Sequence, residues 1–273
     1  MAERTVIELH NVKKVYQSKI ARREAVLALE DVSFRVKESE FLALVGPSGC
    51  GKSTILKLVA GLMPPTEGAV RVNGVEVREP QPDLGIVFQF PVLMEWRRVL
   101  PNILLPIEVL ERNDLDYRKR AQELVNLVGL KGFENKYPFE LSGGMQQRVS
   151  ICRALIHDPP GLIMDEPFSA LDELTRDAMN VELQRIWLER RKTVLYITHS
   201  IAESVFLADR VAVMSARPGR ILKIIDIPFP RPRSLRVRAL PEFVERVEAI
   251  REMLGLLGEN TDIHGDIEPP GPS

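Results

Sequence analysis

Residues 41–59 have the sequence FLALVGPSGCGKSTILKLV, and residues 46–54 within it match the pattern G-x-x-x-x-G-K-[ST]. The preceding residues 41–45 form an apolar run of strand length, and residues 55–59 are predicted to begin a helix. A strand, a glycine-rich turn and a helix in this order are the context that a phosphate-binding loop (P-loop) requires. The stretch therefore predicts an α/β protein that binds a nucleotide.

Each position of this loop has a predicted role. The glycines permit positive φ angles and a close backbone approach, so that the N–H groups of residues 49–54 can point at phosphates. Lys52 is expected to contact the β- and γ-phosphates and Ser53 to bind Mg²⁺, while Thr54 adds an α-phosphate contact. The predicted nucleotide-binding residues of the loop are Gly46, Ser48, Gly49, Cys50, Gly51, Lys52, Ser53 and Thr54. Cys50 is expected to be a tolerated small residue, and the alternative expectation is a lowered pKa, because its thiol lies beside a helix N-terminus.

A second glycine-rich turn lies about ninety residues further on, where residues 141–148 have the sequence LSGGMQQR. Ser142 is predicted to cap a helix whose first N–H groups, at Gly143 and Gly144, are free to bind an anion. Two phosphate-binding elements for one nucleotide indicate a site that is closed by a second copy of the chain.

Three further apolar runs of strand length end in residues suited to phosphoryl transfer: Gln89, the pair Asp165 and Glu166, and His199. Strand ends of a parallel sheet converge on one crevice, so we expect these side chains to meet the P-loop. Asp165 and Gln89 are predicted to hold Mg²⁺. Glu166 is predicted to act as general base for the attacking water, and His199 to contact the γ-phosphate and to hold Glu166 and the water in line.

The composition is that of an ordinary globular protein, with 45% hydrophobic and 27% charged residues among 273. A net charge of −1 gives no global field that would attract nucleic acid. The two cysteines are expected to be free thiols in a reducing compartment. No apolar stretch has the length of a transmembrane helix and the N-terminus has no signal-peptide core, so we expect a cytosolic chain.

Periodicity divides the chain into four parts. Residues 1–88 are rich in predicted strands and contain the P-loop, and residues 89–160 change to a helical period. Residues 161–225 return to alternating strands and helices, which completes an α/β core around an inserted helical subdomain.

Residues 226–273 form the C-terminal part. Prolines and arginines dominate residues 226–238, which predicts a solvated linker, with contact to anionic lipid headgroups as an alternative. An amphipathic helix is expected at 241–257, and the Gly/Pro-rich residues 258–273 are expected to be disordered.

In the order and spacing of these motifs the chain resembles the ATP-binding cassette (ABC) ATPases over residues 5–225. The resemblance implies a P-loop NTPase core of the ABC type with ATP and Mg²⁺ as cofactors. It also implies that Tyr16 stacks on adenine and that Asp172 lies in the loop that contacts the nucleotide between subunits. It further implies a head-to-tail homodimer in which Ser142, Gly143 and Gly144 serve the partner's ATP.

One subset of the family, which imports nitrate, alkylsulfonates and taurine, is resembled more closely. The resemblance lies in Met145, where many members have glutamine, and in residues 91–97, 201–210 and 215–221. Importers of pyrimidine-type vitamin precursors look similar, and an exporter is a further alternative. The resemblance implies two transmembrane permease subunits, indirectly a solute-binding protein, no nucleic acid, and a peripheral place on the cytoplasmic face of the membrane. Residues around Trp96 are then predicted to contact the permease, although Phe90, Leu93, Met94 and Trp96 as simple core residues are the alternative.

Other classes with a P-loop fit less well. A soluble ABC ATPase of DNA maintenance or translation usually has a long coiled-coil insert or two cassettes, and neither is visible here. In a P-loop kinase or GTPase the 141–148 motif and His199 would have no function, and no guanine-specific motif is present in the sequence.

Overall fold

A computed structural model describes residues 4–17, 25–82, 84–112 and 116–255. The strands are β1 (Thr5–Tyr16), β2 (Val26–Lys37), β3 (Phe41–Val45), β4 (Glu67–Val72), β5 (Val75–Glu76), β6 (Leu84–Val87), β7 (Gly161–Asp165), β8 (Thr193–Thr198), β9 (Arg210–Met214) and β10 (Ile221–Asp226). The helices are α1 (Lys52–Val59), α2 (Val99–Val109), α3 (Tyr117–Leu127), α4 (Gly143–Leu155), α5 (Glu173–Arg190), α6 (Ile201–Leu207) and α7 (Pro241–Met253). Short 3₁₀ turns lie at Pro138–Glu140 and Leu235–Ala239. In the described part of the chain, none of the helices combines the length and apolarity needed to cross a bilayer.

The central sheet has the strand order β10-β9-β3-β8-β7-β6. All its pairs are parallel except β9 with β10, which form an antiparallel hairpin at one edge. Every residue of β3 and β8 is buried, as is typical of strands covered on both faces. Because β3, β7 and β8 run in the same direction, the P-loop, Asp165 and His199 all follow the same end of the sheet.

A second, antiparallel sheet has the order β2-β1-β4-β5. Alternate residues of its strands, such as Leu9 and Val36, share a buried cluster with Ile55 and Leu58 of α1. Leu195 of β8 belongs to the same cluster, so α1 packs between the two sheets. This arrangement places the N-terminal end of α1, and with it the P-loop, at the junction of the two layers.

Helices α2, α3 and α4 lie in the chain between β6 and β7 and pack on one another. Their apolar faces, including Ile103, Leu124 and Ile151, join the core on the other face of the central sheet. The described structure therefore confirms the predicted fold class, an α/β core with an inserted helical part and a β-rich N-terminal part.

The predicted solvated linker at residues 226–238 is wrong. Arg233 is only 4% exposed and donates hydrogen bonds to backbone oxygens of five residues: Val205, Phe206, Ala208, Ile227 and Phe229. Arg231 pairs with Asp209 at 2.9 Å and lies 4.4 Å from the ring centroid of Trp187. Burial lowers the pKa of Arg233 to about 10. The segment is thus a packed strap over α6, because the carbonyls at that helix end need donors.

The predicted amphipathic C-terminal helix is present as α7, with Phe243, Val247 and Ile250 buried. It packs against α6. The stretch that we expected to be disordered, residues 258–273, lies outside the described residues.

Candidate nucleotide-binding and catalytic site

The P-loop follows β3 and ends in α1. Gly49 and Gly51 have φ angles of 75° and 107°, which only glycine adopts without strain. The Lys52 ammonium lies under the loop, where it donates to the carbonyl oxygens of Gly46 at 2.7 Å and Pro47 at 3.0 Å. Lys52 is 6% exposed, so this charge is held in place by the loop before any ligand is bound.

The loop forms one wall of a cavity of about 260 Å³. The residues that line it are Tyr16, Val26, Ala28, Ser48, Gly49, Gly51, Lys52, Ser53, Thr54, Glu166 and Arg217. The hydroxyl of Tyr16, at the end of β1, lies 3.2 Å from Thr54 Oγ1. The Tyr16 side chain also lines the cavity. The structure therefore brings the aromatic side chain, the P-loop and one catalytic candidate to the same cavity.

Gly46 and Cys50 lie behind the loop instead of in the cavity. Cys50 is 1% exposed, and burial raises the pKa of its thiol. The expectation of a lowered pKa for Cys50 is therefore wrong, because desolvation outweighs the neighbouring Lys52 charge. A Cβ on Gly46 would lie 3.0 Å from Cys50 Sγ, so these two residues meet each other in the packing under the loop.

Ser53 and Asp165 are the candidate magnesium ligands, and a side-chain hydrogen bond joins them. Burial raises the pKa of the Asp165 carboxyl, and the nearby Glu166 charge raises it further, against the effects of Ser53 and Lys52. Mg²⁺ prefers oxygen ligands and usually takes one or two from the protein, with the rest from water and phosphate. A hydroxyl and a desolvated carboxylate beside a phosphate-binding loop fit that ion.

Glu166 and His199 form a direct contact, with His199 Nδ1 at 2.8 Å from Glu166 Oε2. Glu166 directly follows β7 and has a φ of 44°, an uncommon angle for a residue with a side chain. Its N–H donates to the carbonyl of Ile197 on β8 at 2.8 Å, which holds this turn against the neighbouring strand. The predicted base and the residue predicted to contact the γ-phosphate are thus hydrogen-bonded to each other.

Sequence reasoning missed the residues that fix His199. Glu203 is 5% exposed and accepts a hydrogen bond from Thr198 Oγ1 at 2.8 Å. Its N–H donates to Ser200 Oγ, and the N–H of Ser200 donates to Thr198 Oγ1. His199 is therefore held between two anchored neighbours. A serine followed three residues later by glutamate is a helix-start signal that indicates such an anchor.

Gln89, Ser142, Gly143, Gly144 and Asp172 do not line this cavity. Gln89 is exposed and follows β6, on the far side of β7 from the P-loop strand.

Ser142 caps α4 through Met145 N, and Asp172 caps α5 through Thr175 N at 3.0 Å, which lowers the pKa of Asp172. A Cβ on Gly144 would lie 3.4 Å from Thr175 Cγ2, so the two helix tips are in contact. They share a separate, open cavity of about 380 Å³.

Helix α4 also holds the segment that follows Gln89. Gln147 Nε2 donates to the carbonyl of Phe88 at 3.1 Å, and Arg153 donates to the carbonyls of Pro91 and Val92. These hydrogen bonds fix the residues on both sides of Gln89 to α4. Arg148 donates to the carbonyl of Val128, so both arginines support the helix.

The sequence of this chain was compared with those of known proteins. A profile of the ABC transporter family matches residues 29–169. The taurine import ATP-binding protein TauB of Pelagibacter ubique is 43% identical over 86% of this chain and 91% of its own length. The aliphatic sulfonates import ATP-binding protein SsuB of Bacillus licheniformis is 46% identical over 79% of this chain and 86% of its own.

A solved ATP-binding cassette, described as a dimer in a post-hydrolysis state with ADP and Pi, superposes with a TM-score of 0.70. It is 33% identical in sequence, and the match covers 82% of this chain and 100% of the length of that cassette. With the family profile, the relatives and this fold in agreement, the chain belongs to the ABC transporter family and is an ATPase that binds and hydrolyses ATP.

Proposed function

We propose that this chain is the ATP-hydrolysing subunit of an importer for a small sulfonate-type anion such as taurine or an alkylsulfonate. The names of the relatives, which are taurine and sulfonate import ATP-binding proteins, support the solute class. The structural observation that carries the ATPase and its proposed completion by a second copy is the separation of two phosphate-binding elements within one chain, while the importer assignment rests on the names of the relatives. The P-loop lines one cavity and the capped tip of α4 lines another.

The reaction is transfer of the γ-phosphoryl group of ATP to water. Lys52 and the loop N–H groups bind the phosphates, and Glu166 takes the proton of the attacking water. His199 orients the Glu166 carboxylate through their 2.8 Å contact. Ser53 and Asp165 would hold Mg²⁺, which would neutralise charge on the phosphates, and Gln89 is proposed as a further contact for that ion or the attacking water.

A second copy of the chain completes the site. The exposed Ser142 and Gly143 and the first N–H groups of α4 face outward on a surface that includes Leu174, which is 84% exposed. In a head-to-tail dimer this surface would cover the triphosphate in the partner's P-loop cavity, and Asp172 would lie beside it. The dimeric state of the similar cassette supports this arrangement.

The permease contact is proposed at the exposed apolar segment, which we define as residues 88–96. Its exposed side chains include Phe90 at 63%, Val92 at 57% and Trp96 at 75%. The backbone is nevertheless rigid, because buried Asn102 accepts from Met94 N and donates to the carbonyls of Met94, Arg97 and Arg98. Leu93, in contrast, packs against the core. An exposed apolar patch that contains aromatic side chains and is held by hydrogen bonds is suited to bind a helix of a membrane subunit.

Replacing Trp96 with alanine is expected to weaken co-purification with the permease subunits at least about tenfold, because a buried interface anchor is lost. ATP hydrolysis by the isolated chain should stay within about twofold of wild type, since Trp96 touches none of the site. Phe139→Ala is the matched control, as Phe139 is 72% exposed in the same helical part but outside the segment. Normal assembly of the Trp96 variant, or equal loss in both variants, would contradict the proposed contact.

The solute class is tested in proteoliposomes that contain this chain, its permease and the cognate solute-binding protein. Taurine or a short alkylsulfonate is expected to stimulate ATP hydrolysis several-fold, while nitrate and a pyrimidine precursor leave it at the basal rate. Stimulation by one of the latter instead would refute the sulfonate assignment and leave the ATPase assignment intact.

A further inference from the structure

The turn between β9 and β10, residues 215–220, is seated directly on the P-loop. Gly219 N donates to the carbonyl of Ala28 at 2.9 Å, and Glu30 N donates to the carbonyl of Gly219 at 3.0 Å. A Cβ on Gly219 would lie 2.0 Å from the carbonyl oxygen of Cys50, so only glycine permits this approach. The turn is therefore fixed to both β2 and the loop.

Arg217 extends from this turn to the loop. Its Nε and Nη2 donate to the carbonyl oxygen of Gly49 at 3.3 and 3.2 Å, and the residue lines the nucleotide cavity. Arg217 is exposed, and within the described residues no carboxylate lies within 4.0 Å of its guanidinium. Arg220 in the same turn differs, because it forms a close ion pair with Glu30.

We propose that Arg217 is a second cationic contact for the phosphates of the bound nucleotide, beside Lys52. This inference deepens the proposed function and rests on the nucleotide site described there. Neither the phosphate-loop pattern nor the strand-end residues include Arg217, which lies 168 positions along the chain from Gly49 of the P-loop.

Charge and geometry favour this role over a purely structural one. ATP brings several negative charges into a cavity where Lys52 and Arg217 are the lining cations and Glu166 the lining acid. A guanidinium presents a planar set of donors that matches phosphate oxygens, and Nη1 makes no protein hydrogen bond in the described part of the chain. The bonds to Gly49 orient the group in advance, which reduces the entropy lost on binding.

The test is equilibrium binding of a fluorescent ATP analogue with Mg²⁺, measured at several salt concentrations and by displacement with ATP. Arg217→Gln is expected to raise the dissociation constant about five- to tenfold and to make its salt dependence shallower, because one charge contact is lost. Arg217→Lys keeps the charge but not the planar set of donors, so its dissociation constant should lie between those of the wild type and Arg217→Gln. The matched control Arg220→Gln should stay within about twofold of wild type, since its partner is Glu30 and not the nucleotide.

Lys52→Ala separates this inference from the proposed site. If Lys52→Ala abolishes binding while Arg217→Gln changes neither affinity nor salt dependence, the inference about Arg217 is overturned and the site stands. Weaker binding of Arg217→Gln with an unchanged salt dependence would also overturn it, because the side chain would then act only as a brace for Gly49. Undiminished binding by Lys52→Ala would refute the nucleotide site itself.

Discussion

Replacing Glu166 with glutamine is expected to lower the rate of ATP hydrolysis by about a thousand-fold while ATP still binds. The amide has nearly the same shape and can keep a hydrogen bond to His199 Nδ1, which now lies 2.8 Å from the carboxylate. It cannot accept a proton from water at neutral pH, so the chemical step fails. Bound ATP should then accumulate in a dimer, because hydrolysis no longer opens the two shared sites.

Phosphate release in a single turnover measures the rate, and size-exclusion chromatography with ATP measures the dimer. Glu76→Gln is the matched control, because Glu76 is an exposed acid on β5 whose partner is Arg78. That variant should hydrolyse ATP like the wild type. More than about a tenth of wild-type turnover in Glu166→Gln would mean that another group takes the proton.

Replacing Arg233 with methionine is expected to reduce the free energy of unfolding by about 3–5 kcal/mol. Methionine fills much of the same volume but donates no hydrogen bond, so the carbonyl oxygens that Arg233 now serves, such as those of Val205, Ala208 and Ile227, lose their donor. For a chain of this size, such a loss lowers the melting temperature by roughly 10 °C. Thermal unfolding followed by circular dichroism gives the measurement.

Arg236→Met is the control for that experiment. Arg236 lies three residues further on in the same segment but is exposed, so its replacement should change the free energy of unfolding by less than about 0.5 kcal/mol. If Arg233→Met melts like the control, the segment is the solvated linker that its composition predicted, and the strap has no energetic role.

The local patterns were informative where the chemistry itself is local. A P-loop needs glycines at positions of positive φ and a helix start next to them, so Gly49, Gly51 and Lys52 could be recognised from spacing alone. The cap at Ser142 follows from the same kind of short-range hydrogen bonding. Apolar runs such as residues 161–165 and 193–198 predicted buried strands because both faces of a parallel sheet are covered.

Predictions about charge and exposure failed where they depended on distant partners. Arginine in a proline-rich stretch is usually solvated, yet Arg233 is buried because the end of α6 presents carbonyl oxygens to it. Cys50 stands at a helix start, which favours the thiolate, yet packing beneath the loop removes the water that would stabilise that charge. Neither environment is encoded within a few residues of the side chain concerned.

The sequence by itself determined the P-loop, the α/β core with its helical insert, and the family, and it singled out Glu166 as the predicted base, because each depends on residue types at short fixed spacings. Only the tertiary structure decided that Arg217 from the β9–β10 turn joins the nucleotide cavity and that the C-terminal arginines brace α6. These contacts join residues far apart in the chain, and their existence depends on how two sheets and a helical insert pack together.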